Sequence, residues 1–327
     1  MNSVTDNIDK NSTRNGDGSF HIAFCVDNHY FRAMGATILS IIDNNPGVHL
    51  TIHVLAFAVS DDHRARLLKL EQQHPVKTHI HIVSPDRFSQ FTHFIASTYY
   101  SPAIFTRLAI PEILKDYTDR VLYMDADILC VGKIDKLMAM PIEETVAFVV
   151  PDADVTTYRR ATALKLKEIK YFNSGVLYIN ITKWLELDIT AATIHALLTG
   201  GDDLRFPDQD ALNIALADHC TYIAIRWNYL YGLIGELEND RRAMKDVGNA
   251  VFLHFAGAVK PWADWCLHDS RKIFSKYHQM SPWADMPMDT VPQNYKEMRM
   301  NSRFLWKRRK YAESVRWFWK YLMARPR

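Results

Sequence analysis

Apolar residues along this chain follow two kinds of spacing, and polar turn residues separate the segments that show them. Apolar runs of about four to eight residues are typical of strands, whereas apolar residues three or four positions apart are typical of helices. The predicted strands cover residues 22–26, 50–58, 78–83, 121–123, 145–150 and 175–180, and the predicted helices cover residues 33–42, 60–70, 103–114 and 208–217. This alternation predicts an α/β domain with a mostly parallel sheet.

Two of the predicted helices contain signals that act at one position. Ser60 is followed by two aspartates, and its hydroxyl is expected to cap the helix that runs through Leu70. Pro111 has no backbone N–H, so we expect it to bend or break the helix predicted over residues 103–114.

The composition sets limits on the class of protein. Residues 1–19 are polar and lack the apolar run of a secretory signal peptide, so we expect them to form a disordered tail. No stretch approaches the roughly 20 apolar residues that cross a bilayer. No Gly-X-Gly-X-X-Gly or Gly-X4-Gly-Lys-Ser segment is present, which argues against dehydrogenases and P-loop proteins.

The cysteines indicate the compartment. Cys25, Cys130, Cys220 and Cys266 show no paired spacing, and three of them lie in apolar or strand-like segments. Scattered cysteines of this kind favour reduced thiols over a disulfide framework. We therefore expect a cytoplasmic protein.

The first segment with candidate chemistry is an Asp-X-Asp pair, Asp125 and Asp127, at the end of an apolar strand. Open α/β sheets bind ligands at this end of their strands. Residues two apart on a strand point the same way, so both carboxylates can face one cation, and oxygen ligands suit Mn²⁺ or Mg²⁺. Taken alone, the pair fits a solvated turn better than a metal site.

Three further motifs follow, each with an ordinary structural explanation beside the functional one. Asn173 opens an Asn-Ser-Gly segment before a strand, which suits either a polyhydroxylated ligand or a simple turn. Asp208 is expected to cap the helix that follows it, which would place Gln209 at the positive end of that helix. His254 ends a short apolar strand and could either complete a metal site or fill the core.

Together these motifs, in this order, resemble the retaining glycosyltransferases of family 8, which use UDP-sugars. The likeness spans about residues 20 to 270 and is closest to bacterial lipopolysaccharide core α-glucosyl- and galactosyltransferases. It implies a GT-A type, Rossmann-like nucleotide-sugar-binding domain with a mixed sheet over residues 20–280. It also implies a basic, aromatic, helical membrane-associating region over residues 281–327.

The resemblance assigns roles to the metal and diphosphate end of the site. Asp125, Asp127 and His254 resemble the ligands of a divalent metal. Gly257 and Lys260 resemble the residues that clamp the donor diphosphate.

The resemblance also assigns roles around the nucleotide and the sugar. Asp27 and Tyr30 resemble the uridine site, although His29 stands where some relatives have Asn, and Arg107 resembles an arginine that contacts the donor. The residues that resemble those around the donor sugar or acceptor are Asn173, Asp208, Gln209 and Asp152, with Gln209 below the anomeric carbon and Asp152 a weaker match.

The family reaction implies a specific chemistry for this chain. A metal and Lys260 neutralise the departing UDP, and a hexose passes to a sugar of the lipopolysaccharide outer core. Glucose is the favoured hexose, and galactose is the alternative. Because an amide such as Gln209 is a poor nucleophile, we favour a front-face route in which a departing phosphate oxygen helps deprotonate the acceptor hydroxyl.

Two other classes compete with this interpretation. An Asp-X-Asp phosphatase of the haloacid dehalogenase type would place the pair near the N-terminus and follow it with Thr or Val, whereas Ile128 follows here. A non-catalytic binding protein for glycans or nucleotide sugars would need neither a metal triad nor Lys260.

The C-terminal segment carries a second clue. The formal net charge is +2, yet residues 301–327 hold nine Lys or Arg and only Glu313 as an acid, which gives +8 there and −6 elsewhere. On one continuous helix the residues that would share an apolar face are Phe304, Tyr311, Val315, Phe318 and Leu322. Such a segment suits the anionic cytoplasmic face of an inner membrane more than nucleic acid, and packing against the core is the alternative.

Overall fold

The structure is a computed structural model that describes residues 18–95 and 101–325, so most of the expected disordered tail lies outside the described residues. The strands are β1 (Phe20–Cys25), β2 (Leu50–Ala56), β3 (Val76–Ile82), β4 (Arg120–Met124), β5 (Ile128–Cys130), β6 (Ala147–Pro151), β7 (Phe172–Asn180), β8 (Cys220–Tyr222), β9 (Tyr229–Leu230) and β10 (Phe252–His254). The helices are α1 (Phe31–Asn44), α2 (Asp61–Gln73), α3 (Ile110–Leu114), α4 (Asp135–Met138), α5 (Asp154–Ala163), α6 (Ile181–Glu186), α7 (Ile189–Thr199), α8 (Pro207–Ala215), α9 (Leu233–Glu238), α10 (Ser270–Met280), α11 (Tyr295–Lys307) and α12 (Tyr311–Ala324). Short 3-10 helices span Pro85–Ile95, Pro102–Ala109, Gly201–Asp203 and Ile225–Asn228.

The main sheet has seven strands in the order β3-β2-β1-β4-β7-β6-β8. β1 pairs in parallel with β2 and β4, and β2 pairs in parallel with β3. β6 pairs in parallel with β8, whereas β7 runs antiparallel between β4 and β6, so the sheet is mostly parallel, as predicted, but mixed because β7 is reversed. A small second sheet joins β5, β10 and β9. The alternation of strands and helices could not reveal this reversal, but the expected mixed α/β sheet is confirmed.

Both faces of the main sheet are covered. Ile22 and Phe24 of β1 point into a core that α1, α2 and α10 cover, whereas Ala23 points into a second core beneath α3 and α6 to α8. Strands that are buried on both faces are almost entirely apolar, which is why they could be predicted from the sequence.

Two local predictions can be compared with the structure. The Ser60 hydroxyl accepts a hydrogen bond from the backbone N–H of His63, so the predicted cap is confirmed. The helix predicted over residues 103–114 is instead a 3-10 helix that gives way to α3. Pro111 lies in the first turn of α3, where its missing N–H costs nothing, so it marks the junction rather than a bend.

A row of histidines crosses the parallel strands away from the carboxyl ends. His21 Nδ1 lies 2.9 Å from His53 Nε2, and His53 Nδ1 lies 3.0 Å from His81 Nε2. Burial and the neighbouring histidines lower the pKa of His53, and burial together with His79 lowers the pKa of His81 from 6.5 to about 4. His53 and His81 are therefore neutral in the folded protein near neutral pH.

The C-terminal region is a helical hairpin instead of one helix. α11 ends at Lys307, and Arg309 adopts a left-handed backbone (φ 61°) in the turn before α12. Phe304 is buried against Trp265, so α11 packs on the body of the protein. The single apolar face expected from the sequence is wrong for this reason, because the turn separates Phe304 from the residues of α12.

α12 leaves its apolar side chains in solvent. The side chains that are exposed on it are Tyr311, Val315, Phe318, Trp319, Leu322 and Met323. Trp319 is 62 % exposed and Met323 81 % exposed, whereas Ser314 is buried and bonds to Ser302 of α11. In the described ranges no helix is both long and apolar enough to cross a membrane. The four cysteines are all unpaired.

Candidate active site

One cleft opens where β1, β4 and β6 end and β7 begins. Because β7 runs antiparallel to its neighbours, its first residues meet the last residues of β4 and β6 at the same edge. The predicted site residues that line this cleft are Asp27, Tyr30, Arg107, Asp125, Asp127, Asn173, Asp208, Gln209, His254, Gly257 and Lys260. Asp152 follows β6 and reaches the same group through hydrogen bonds. The fold therefore brings all the predicted residues together.

The small sheet explains how His254 reaches the acid pair. Asp127 directly precedes β5, and β10 pairs antiparallel with β5 so that His254 lies opposite Ile128. His254 Nε2 lies 3.3 Å from Asp127 Oδ1 and 3.9 Å from Asp125 Oδ2. Each of the three side chains offers one ligand atom, and these three atoms lie within 4.8 Å of one another.

Asn228 fixes the orientation of the histidine. Its side-chain oxygen lies 2.9 Å from His254 Nδ1, and its side-chain nitrogen donates to Asn173 Oδ1 at 2.9 Å. Because the amide nitrogen is used on Asn173, the amide oxygen must accept a proton from Nδ1. The Nε2 lone pair of a neutral His254 then points at two carboxylates, an arrangement that a shared cation stabilises.

The acid pair fits a divalent cation. Asp127 Oδ1 is buried and has no hydrogen-bond partner among the described residues, which is costly for a carboxylate unless a metal takes the position. Burial acts to raise the pKa of Asp127, but the positive charge of Lys260 outweighs it and holds this pKa well below its usual value. A low pKa keeps the carboxylate ionised, as a ligand must be. Two carboxylates and one imidazole suit Mn²⁺ or Mg²⁺.

Gly175 makes room for these ligands. A Cβ atom there would lie 2.4 Å from His254 Cε1 and 2.9 Å from Asp125 Oδ2. The backbone N–H of Asp125 also donates to the Gly175 carbonyl at 2.8 Å. The glycine of the Asn-Ser-Gly segment is therefore required by close approach.

Arg107 is a buried clamp between two carboxylates. Its guanidinium donates to Asp125 Oδ1 at 3.2 Å and lies 3.0 Å from Asp208 Oδ2, and it also bonds to Ser174. Burial raises the pKa of Asp208, an effect that Arg107 opposes and Asp125 reinforces. The contact between Arg107 and a donor stays a prediction.

Asp208 does not cap its helix. Phe206 occupies the N-cap position, Pro207 begins α8, and the Asp208 carboxylate turns toward Arg107 instead. The capping prediction is therefore wrong, because a buried guanidinium gives the carboxylate a charge-assisted partner that is stronger than the backbone N–H groups of a helix N-terminus. Gln209 still lies in the first helical turn, as expected.

Four polar groups hold the Gln209 amide. Its oxygen accepts from the Ser174 backbone N–H at 3.0 Å and from Asn173 Nδ2 at 3.1 Å. Its nitrogen donates to Asp152 Oδ2 and to the Tyr171 hydroxyl, both at 3.0 Å. A backbone N–H can only donate and an ionised carboxylate can only accept, so the amide has one possible orientation.

The opposite end of the cleft contains the residues predicted to bind uridine and diphosphate, namely Asp27, Tyr30, Gly257 and Lys260. Asp27 accepts hydrogen bonds from the backbone of His29 and Tyr30, and the Tyr30 ring stands edge-on to Trp262 at 5.9 Å. Gly257 adopts φ +102°, which disfavours side chains, and its loop presents Lys260 toward Asp127. The predicted roles of these residues in binding uridine and diphosphate stay predictions.

The segment after α10 returns to this end of the cleft. Asp289 accepts a hydrogen bond from Arg32 at 2.9 Å, and its backbone bonds to Trp262 and Asp264. The C-terminal region is thus attached directly to the loops that line the cleft.

Residues that orient other residues were missed at the level of sequence. Asn228 belongs to no motif that the sequence indicated. Tyr171 precedes the Asn-Ser-Gly segment and Asp210 ends the Asp-Gln-Asp segment that begins at Asp208, but neither was given a role. The Asp-Gln-Asp segment contained Asp210, but nothing in its spacing indicates that the side chain turns inward.

Comparison with known proteins decides the family. A model described as glycosyl transferase family 8 matches residues 21–266, and a second, glycosyl transferase family 8 C-terminal, matches residues 268–325. The chain belongs to glycosyl transferase family 8. The resemblance seen in the motifs is confirmed.

This family 8 glycosyltransferase is similar to enzymes of known activity. It is 29 % identical over 322 residues to lipopolysaccharide glucosyltransferase WaaO of Escherichia coli K12, covering 96 % of this chain and 92 % of the relative. It is 28 % identical over 272 residues to lipopolysaccharide 1,2-glucosyltransferase of the same strain, covering 81 % and 79 %. It is 26 % identical over 325 residues to lipopolysaccharide 1,3-galactosyltransferase of Salmonella typhimurium LT2, covering 97 % and 95 %.

The fold of this glycosyltransferase also matches a solved structure. The crystal structure of galactosyltransferase LgtC, in complex with donor and acceptor sugar analogs, superposes with a TM-score of 0.68 at 23 % identity. The match covers 85 % of this chain and 99 % of LgtC. The expected GT-A type α/β fold with helices at its C-terminus is therefore confirmed.

Proposed function

We propose that this family 8 glycosyltransferase transfers a hexose from a UDP-sugar to a sugar of the lipopolysaccharide outer core, with retention of the α configuration. The observation that carries the proposal is the cluster of Asp125, Asp127 and His254, with Lys260 beside it and the Gln209 amide in the same cleft. Three relatives named for lipopolysaccharide transfer support the acceptor. Two of them are glucosyltransferases, which favours glucose over galactose.

The leaving group determines what the metal end must do. UDP departs with the charge of a diphosphate, and a bound Mn²⁺ or Mg²⁺ supplies positive charge at that point. Asp125, Asp127 and His254 would hold the ion. Lys260, whose ammonium bonds to Asp127 and to the Phe255 carbonyl, is placed to add a second positive charge to the diphosphate.

The sugar end determines the stereochemistry. Retaining glycosidases use a carboxylate nucleophile, but the side chain predicted below the anomeric carbon is the amide of Gln209. Asp208 is ion-paired with Arg107, and Asp152 accepts hydrogen bonds from Gln209 and Asn173. With its nearest carboxylates engaged in this way, the site supports a front-face route. The Gln209 oxygen then stabilises positive charge that develops in the transition state.

Transfer to lipopolysaccharide core places the enzyme at the cytoplasmic face of the inner membrane, and α12 offers a surface for that contact. An apolar groove on the hairpin is lined by two methionines, Met298 and Met323, and by cationic and aromatic residues, namely Arg316, Trp319 and Lys320. Interfacial helices combine exposed aromatics with Lys and Arg in this way, and each cation near an anionic surface contributes about 1 kcal/mol.

The reaction is tested by incubating the full chain with each UDP-hexose, Mn²⁺ and truncated lipopolysaccharide acceptors. We expect metal-dependent release of UDP and an acceptor that gains one α-linked hexose. Asp127→Ala should abolish transfer, whereas Asp86→Ala, an exposed aspartate outside the cleft, should not. Phosphate release from a phosphomonoester, or donor binding without turnover, would contradict the proposal.

The membrane contact is tested with phosphatidylglycerol-containing vesicles. Trp319→Ala combined with Lys320→Ala should reduce salt-sensitive sedimentation with the vesicles, and UDP-hexose hydrolysis should be unchanged. Leu198→Ala, which removes a similarly exposed apolar side chain on α7, should have no effect. Unchanged sedimentation of the double variant would show that the hairpin does not bind membranes.

A further inference from the structure

Tyr171 lies directly behind Gln209, and no ligand-binding role accounts for it. It precedes β7, is fully buried, and its hydroxyl lies 3.0 Å from Gln209 Nε2. The same hydroxyl lies 2.6 Å from Asp210 Oδ1. It therefore joins the amide predicted to act on the sugar to a carboxylate on the far side.

The Asp210 carboxylate accepts hydrogen bonds from a buried arginine and from two backbone N–H groups. It is completely buried, and Arg160 donates to both of its oxygens, Nε to Oδ1 at 3.0 Å and Nη2 to Oδ2 at 2.8 Å. The backbone N–H groups of Arg205 and Phe206 also donate to Oδ2, at 2.7 and 2.8 Å. Arginine and backbone N–H groups can only donate, so the Asp210 carboxylate acts as the acceptor toward all of them.

The direction of each hydrogen bond then follows along the chain of residues. Since Asp210 acts as the acceptor, the Tyr171 hydroxyl must use its single proton on Asp210. Burial, with the charge of Asp210, raises the pKa of Tyr171, so the hydroxyl keeps that proton. The oxygen of Tyr171 is left as an acceptor, and Gln209 must present its NH₂ group to it. The Gln209 oxygen is thereby directed to the opposite side, toward Ser174.

We propose that Tyr171 is a positioning residue for the transfer reaction, which holds the Gln209 amide in the orientation that Ser174 and Asp152 also favour, through a hydrogen bond whose direction Asp210 and Arg160 impose. This inference rests on the proposed function, because it gives Gln209 a role at the sugar. Without Tyr171 the amide loses one of the two acceptors of its NH₂ group, and its oxygen is held less firmly. The effect is expected on turnover, since the diphosphate and uridine residues do not contact Tyr171.

The test compares Tyr171→Phe with wild type, Gln209→Ala and the double variant Tyr171→Phe/Gln209→Ala. We expect Tyr171→Phe to lower kcat about 10- to 100-fold, as for the loss of one buried hydrogen bond acting in the transition state, with unchanged UDP affinity. In the Gln209→Ala background the same change should lower kcat no further. Rates are expressed per UDP-binding site, so partial unfolding of a variant does not enter the comparison.

Tyr178→Phe is the matched control, because Tyr178 is a buried tyrosine of β7 that packs against Phe20 and Phe148 away from the cleft. It should keep wild-type kcat. An unchanged kcat in Tyr171→Phe, an equal loss in both backgrounds, or a loss of UDP affinity without a loss of kcat would each overturn the inference. A wild-type protein that transfers no hexose would instead overturn the proposed function, so the two failures are distinguishable.

Discussion

Replacing Gly175 with alanine places one methyl group against the candidate metal ligands. The new Cβ would lie 2.4 Å from His254 Cε1, 2.8 Å from His254 Nδ1 and 2.9 Å from Asp125 Oδ2. Gly175 is not among the residues with positive φ, so the backbone itself accepts alanine. The whole effect of the substitution therefore comes from the collision.

The size of the collision determines the loss. Carbon atoms normally approach to about 3.5 Å, so His254 must move by about 1 Å, whereas metal–ligand distances tolerate about 0.2 Å. His254 is buried and held by Asn228, so it cannot swing aside freely. We expect metal affinity to fall at least about 10- to 100-fold, or about 1.4 to 2.7 kcal/mol, and overpacking to cost about 1–3 kcal/mol of stability.

The measurement is a calorimetric titration of the full chain with Mn²⁺, together with a thermal melt. Gly235→Ala is the matched control, because a Cβ there meets nothing within 4 Å and the position lies in α9. The control should keep wild-type affinity. If Gly175→Ala bound Mn²⁺ as tightly as wild type, His254 and Asp125 would not be ligands of one ion, and the metal assignment would fail.

Three other expectations follow from the same geometry. Excess chelator should abolish transfer and Mn²⁺ restore it, and Asp125→Ala should lose activity by orders of magnitude while remaining folded by circular dichroism; full activity in chelator would contradict the site. Gln209→Ala should lower kcat strongly with little change in UDP affinity in equilibrium titrations, and the reverse pattern would assign the residue to nucleotide binding. His81 has a pKa lowered from 6.5 to about 4, so the unfolded chain takes up its proton first and stability falls as the pH drops through this window. Between about pH 7.5 and about pH 5 this group should lower the free energy of unfolding, measured in urea, by about 2 kcal/mol. His81→Gln should make the free energy of unfolding depend less on pH, and parallel curves for wild type and variant would contradict this expectation.

The sequence predicted those site residues whose own functional groups can bind a ligand or a metal. Asp125 and Asp127 are recognisable because a strand fixes the direction of residues two apart. His254 could be suggested as a possible ligand but could not be placed beside the two aspartates, because the pairing of β10 with β5 is a long-range contact that local spacing does not record. The reversal of β7 was invisible to the alternation pattern for the same reason.

The missed residues act on other side chains instead of on a ligand. Neither Asn228 nor Tyr171 stands out in the sequence, and their roles follow only from their contacts with His254 and Gln209. The tail shows a different limit. The prediction of one apolar face assumed a continuous helix through Lys307. Three residues of turn separate α11 from α12, so the side chains of the two helices do not share one face.

The pairing of β5 with β10 has a consequence for how the protein matures during synthesis. Asp127 and Lys260 stand 133 positions apart, yet they share one ion pair at the candidate metal centre. A nascent chain that stops short of β10 contains both aspartates but has neither His254 nor Lys260 to complete the centre. Such a product could fold much of the main sheet and still be unable to hold the cation. We therefore expect metal binding to be acquired late and to require that the carboxyl-terminal part of the domain has docked.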